Sequence, residues 1–158
     1  MNPKPDTFHL AQLNIARLLA PLDSPILKEF VDFLAPVNKL AEESPGFVWR
    51  LMDESGASSS YVDSPFEDEM VVVNFSVWED IPSLREFTYN TVHSYFLKSR
   101  RKWFEEATDH HLVMWWLPEG TIPTLVEAKE RLEHLQKHGP SSHAFTLSQP
   151  YTMNGQKV

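Results

Sequence analysis

The stretch Met70–Phe104 reads MVVVNFSVWEDIPSLREFTYNTVHSYFLKSRRKWF. An apolar strand, Met70–Trp78, runs into a helix cap at Asp80 and a proline near the helix start at Pro82. A helical region follows and carries Phe87, Tyr89, His93, Phe96, Arg100, Trp103 and Phe104. Successive strand residues point to opposite faces. Val71, Val73, Phe75 and Val77 therefore make one wholly apolar face, suited to a dry core. Met70, Val72, Asn74, Ser76 and Trp78 make the other, which mixes a large aromatic with two small polar groups. That second face is the expected wall of a pocket.

Upstream, Phe8–Leu18 (FHLAQLNIARL) reads as a first strand. Its even positions are Phe8, Leu10, Gln12, Asn14, Ala16 and Leu18, so two amides sit in an otherwise apolar face. Ser24-Pro25 opens a helix whose apolar residues recur every three or four positions to Ala41. Pro36 falls inside it and is expected to kink or split it. Ser44-Pro45-Gly46 stops the helix, and Phe47–Met52 is a second strand. Residues 53–69 are polar, acidic and rich in small side chains, and are expected to be the most mobile internal connection.

Downstream, the helical stretch continues to about Glu106, with a break near Asn90-Thr91. Leu112–Leu117 is a fourth strand. Thr124 and Glu127 form a capping box for a helix carrying Leu125, Ala128, Leu132 and Leu135. His138-Gly139-Pro140 ends it. Ala144–Leu147 reads as a short fifth strand. The order β-α-β-β-α-β predicts an α+β, ferredoxin-like antiparallel sheet with helices on one face. Residues 1–7 are expected to be a flexible lead, 8–150 one domain, and 151–158 a tail.

Composition narrows the classes. At 158 residues, folding buries about 70 % of the chain's surface, enough for a core without staples. There is no cysteine, so disulfides, thiolate metal sites and a cysteine nucleophile are excluded, and a reducing cytoplasm is the expected location. A net charge of −8 argues against general nucleic-acid binding. No apolar run is long enough to span a membrane, and no signal peptide is read at the N-terminus. His110 and His111 point to opposite sides of a strand start and cannot chelate one metal, so no metal site is expected.

The runs HLAQLNIARL, PGFVWRL, VNFSVWEDIPSLREFTY, RRKWFEE and VMWWLPEG resemble an uncharacterised bacterial family of unknown function within the dimeric α/β-barrel superfamily. More distantly the chain is similar to the antibiotic-biosynthesis and haem-degrading monooxygenases. The resemblance implies that Asn14 matches their strand-one asparagine, Trp78 the tryptophan ending their third strand, and His93 a histidine of the following helix. The helical tryptophan of the haem-degrading members falls near Phe87, a departure that speaks against haem chemistry.

In a ferredoxin-like sheet the first and third strands are neighbours, so Gln12, Asn14, Asn74, Ser76 and Trp78 should converge between the sheet and the helix bearing His93. A histidine on such a helix face is commonly a hydrogen-bonded core residue, and tryptophans such as Trp78 and Trp103 commonly fill cores. The functional reading makes His93, Asn14 and Trp78 catalytic. Gln12, Asn74, Ser76, Arg100 and Trp103 then bind a ligand, with Arg100 as anion holder. The leading expectation is a cofactor-independent, monooxygenase-like enzyme acting on a small aromatic compound. The alternative is a non-enzymatic small-molecule binder on the same scaffold. A haem binder, with His93 or His110 as axial ligand, is a third reading. A sheet with one bare apolar face further predicts a homodimer.

Overall fold

The structure, a computed structural model, describes residues 7–52, 66, 68, 70–90 and 98–157. Four strands form one antiparallel sheet: β1 (Phe8–Arg17), β2 (Phe47–Arg50), β3 (Val71–Trp78) and β4 (Leu112–Pro118). Their order across the sheet is β2-β3-β1-β4. The helices are α1 (Lys28–Glu43), α2 (Ile81–Asn90) and α3 (Leu125–His138). This is the α+β, ferredoxin-like arrangement that the element order predicts. The 53–69 connection, of which only Phe66 and Asp68 are described, otherwise lies outside the described residues, as does residue 93.

Local chemistry sets the helix ends. Asp80 Oδ1 accepts the Ser83 amide at 2.8 Å and starts α2. Thr124 Oγ1 accepts the Glu127 amide at 3.2 Å and starts α3. Gly139 ends α3 with φ +79°. The chain enters α1 through a 3-10 turn, Pro25–Leu27. Of the expected kink or split, the split does not occur: α1 runs unbroken through Pro36. Pro36 is exposed, so the carbonyl that loses its partner there faces water.

The even-numbered residues of β1 and β3 share one face. Leu10, Trp78 and Met114 pack there with Val37 and Ala41 of α1 and with Leu84 and Phe87 of α2. The odd face carries Ala11, Leu13, Val73, Phe75, Val77, Val113 and Trp115, and it packs against Ala128, Leu132 and Leu135 of α3. The two helices of the β-α-β-β-α-β core thus lie on one face as expected. The added third helix covers the other, the face whose exposure motivated the expected dimer.

Residues 144–147 make a single bridge rather than a strand: Met114 and Phe145 exchange backbone hydrogen bonds of 2.8 and 2.9 Å. The stretch from Tyr151, expected as a tail, folds into a turn. It is closed by a Tyr151–Lys157 bridge and held by the Trp116 indole N–H donating to the Tyr151 carbonyl at 2.8 Å.

Gly46 joins α1 to β2 with φ +83°. A Cβ there would lie 2.1 Å from Ser83 Oγ and 2.4 Å from Ser83 Cβ, at the first turn of α2. Gly120 has a similar φ but open space around it. Gly46→Ala is therefore expected to cost about 1–3 kcal/mol through strain plus overlap. Gly120→Ala, with strain alone, should cost less. Urea denaturation of both variants checks this, and equal losses would mean that the close approach to Ser83 is unimportant.

Candidate functional site

The pairing of β1 with β3 decides which groups meet. Leu10 lies opposite Trp78, Gln12 opposite Ser76, and Asn14 opposite Asn74. Residues 62 to 64 positions apart in sequence thereby become one polar row. The Gln12 amide donates to Asn74 Oδ1 at 2.8 Å and to Ser76 Oγ at 2.7 Å. The Trp78 indole N–H donates to the same Ser76 oxygen at 2.9 Å. With two donors already on its oxygen, the Ser76 hydroxyl keeps its own proton to give. Trp78 itself is buried between Phe47 and Phe87, with ring centroids 5.5 and 5.1 Å away.

Two features set this row apart from ordinary core. The side-chain oxygen of Asn14 is enclosed, yet it has no hydrogen-bond partner among the described residues. An unpaired buried acceptor costs about 1–3 kcal/mol. Asn74, although on an interior strand and on the helix-bearing face, is exposed. Asn74 is thus uncovered beside Asn14, its partner in the β1–β3 pairing.

Arg50 belongs to the same face and was not among the residues singled out from the sequence. It lies opposite Ser76 in the β2–β3 pairing. Its side chain is only 12 % exposed, and its Nε donates to Glu42 of α1 at 3.0 Å. An irregularity between Phe47 and Trp49 shifts the register, so that Phe47 and Arg50, three residues apart, share a face.

Other expected members fall elsewhere. Trp103 is buried in a separate cluster with Leu18, Leu27, Phe30 and Val72, its ring centroid 5.6 Å from that of Phe30. Arg100 opens the 3-10 turn Arg100–Lys102 and lines a cleft with Arg101, Phe104, Glu105, Glu106, Ala107 and His111. None of the amides joins that cleft. His93, the expected proton acceptor, lies outside the described residues. Among the described residues no three His, Asp or Glu side chains are grouped to hold a metal ion. No described helix is long and apolar enough to cross a membrane.

The model of a domain of unknown function, DUF3291, matches residues 9–158. The chain belongs to the DUF3291 family. No curated protein matches it. Among solved structures it is similar to PA3566 from Pseudomonas aeruginosa, with 12 % identity and a TM-score of 0.46, over 72 % of this chain and 95 % of that one. It is also similar to NE2512, a protein of unknown function from Nitrosomonas europaea, with 12 % identity and a TM-score of 0.48, over 75 % and 97 % of the two chains. Likeness at this level carries no argument about activity.

Proposed function

We propose that this DUF3291 protein binds a small aromatic compound on the even face of its sheet, through a hydroxyl and a carbonyl group of the ligand. The observation that carries this reading is the enclosed, unpartnered oxygen of Asn14 beside the exposed amide of Asn74. Asn14 would accept from a ligand hydroxyl, while the Asn74 amide and the Ser76 proton would donate to a carbonyl. Aromatic rings at the end of the row, Trp78 with Phe47 and Phe87, supply apolar surroundings.

Direct oxygenation of such a ligand, without a cofactor, is the second reading. It is favoured by Asn14 and Trp78 sharing one face, as the resemblance to the monooxygenases implies. The protein would then orient an electron-rich substrate, with His93 as the proton acceptor. A cytoplasmic setting, suited to a cysteine-free chain, belongs to the same proposal, as does a homodimer, which with α3 over the odd face would have to bury a different surface. A stable monomer at micromolar concentration in sedimentation would end the dimer.

The test uses quinol- and anthrone-type compounds with the purified protein. Saturable binding that Asn14→Ala and Asn74→Ala each weaken about tenfold supports the site, tenfold corresponding to about 1.4 kcal/mol. Oxygen consumption by colourless protein adds the enzymatic reading, and binding without consumption leaves the binder. A Soret band in the purified protein would replace both with haem binding. Binding unaffected by either substitution would move the ligand away from this face.

A further inference from the structure

The cleft containing Arg100 is built independently of the amide row. Its floor is pinned to the end of β1. Leu19 N donates to the Trp103 carbonyl at 2.8 Å, Glu105 N to the Arg17 carbonyl at 2.8 Å, and Ile15 N to the His111 carbonyl at 2.9 Å. The cleft has a volume of about 220 Å³. Arg100, Arg101 and His111 bring basic groups to it, and Phe104 and Ala107 bring apolar surface.

The arginine usage is unusual. The chain has six arginines. Arg17 bonds Asp68 and Glu105, Arg50 bonds Glu42, Arg85 bonds the Leu147 carbonyl, and Arg131 bonds Glu127 and the His143 carbonyl. The side chains of Arg100 and Arg101 have no hydrogen bond or ion pair among the described residues, and both line the same cleft. In a chain with 22 acidic residues, two neighbouring guanidiniums that pair with no carboxylate among the described residues stand out. Glu105, the nearest in sequence, is engaged by Arg17.

We propose that the cleft formed by Arg100, Arg101, Phe104 and His111 binds a small organic carboxylate with an apolar body. A guanidinium presents paired donors that match the two oxygens of a carboxylate. The Phe104 ring and Ala107 contact the apolar part. Glu105 and Glu106, which also line the cleft, add negative charge, which disfavours a doubly charged phosphate and selects a monoanion. The volume suits a ligand the size of benzoate. This site does not depend on the amide row being a binding site.

Binding should strengthen as pH falls. Burial and then the charge of Arg100 hold the His111 imidazole below its ordinary range, so it is neutral near pH 7. The charged groups around it are Arg100 and Arg101, Glu105 and Glu106, and Asp109 and His110 of its own loop. From α3, the neutral Gln136 holds the His110 carbonyl at 2.8 Å. A bound anion offsets the arginine charge and favours the protonated imidazole, so anion and proton bind cooperatively.

The experiment titrates benzoate, its neutral isostere benzamide, and inorganic phosphate into the full chain, followed by calorimetry and backbone amide NMR. The expected result is saturable one-to-one benzoate binding with shifts at residues 100–111, no comparable benzamide binding, and weaker phosphate binding. Arg100→Gln and Arg101→Gln should each weaken benzoate about fivefold or more, with unchanged thermal unfolding, since neither side chain has a hydrogen-bond or ion-pair partner among the described residues. Affinity of the parent should rise as the pH falls below about 6.5, and His111→Gln should flatten that rise. Equal affinity for benzoate and benzamide, or parent-like affinity in both arginine variants, would overturn the proposal. Phosphate binding tighter than benzoate would overturn the carboxylate assignment.

Discussion

Replacing Gln12 by alanine is expected to lower the unfolding free energy by about 1–3 kcal/mol, more than the same change at Asn14. The two amides are two residues apart on one strand face, and sequence gives them equal standing. Their surroundings do not. Both donors of the Gln12 amide are used, on Asn74 Oδ1 and Ser76 Oγ, and Gln12 is 5 % exposed. Alanine there leaves Ser76 with the Trp78 indole as its one donor, and leaves Asn74 Oδ1 without one. Asn14 makes no side-chain hydrogen bond among the described residues, so Asn14→Ala should stay within about 1–2 kcal/mol of the parent. Urea denaturation of both variants decides the matter. A larger loss at Asn14 than at Gln12 would make Asn14 a structural residue and remove the main support for a ligand on this face.

The second large effect concerns α3. Leu135 is fully buried against a cluster that includes Phe75, Val113 and Trp115. Leu135→Ala should cost about 2–5 kcal/mol by lost burial and the cavity left behind. Val126 on the same helix is 73 % exposed, and Val126→Ala should stay within about 0.5 kcal/mol. The odd face of the sheet depends on α3 for its cover, so the Leu135 variant should also bind a hydrophobic dye such as ANS more strongly. A loss below 1 kcal/mol at Leu135 would mean that α3 is not the cover this packing describes.

Much of the fold was legible from local chemistry. Period-two alternation in 71–78 and in 8–17 assigned both strands, because their side chains alternate with the pleat. Asp80, Thr124 and Gly139 marked helix ends because their side chains or backbone freedom serve the unpaired backbone groups there. The convergence of Gln12, Asn74, Ser76 and Trp78 followed from alternation once strands one and three were taken as neighbours. Pro36 does not split α1, because on an exposed side the freed carbonyl is open to water, and that exposure is a tertiary property.

By itself, then, the sequence determined the four strands of the sheet, the helix caps, the α+β order and the amide-bearing face, since each follows from residues close in the chain. Tertiary structure alone decided which face α3 covers, because its apolar stripe would suit any apolar surface. It decided that Trp103 joins Phe30 rather than the amides, a matter of where the turn at residues 100–102 delivers it. It also brought Arg50 beside Ser76, because a register shift in β2 overrides alternation. Finally, it separated two equivalent-looking amides, bonding Gln12 fully and leaving the Asn14 oxygen unpaired. Hydrogen-bond satisfaction depends on atoms more than sixty residues away, and no local pattern records it.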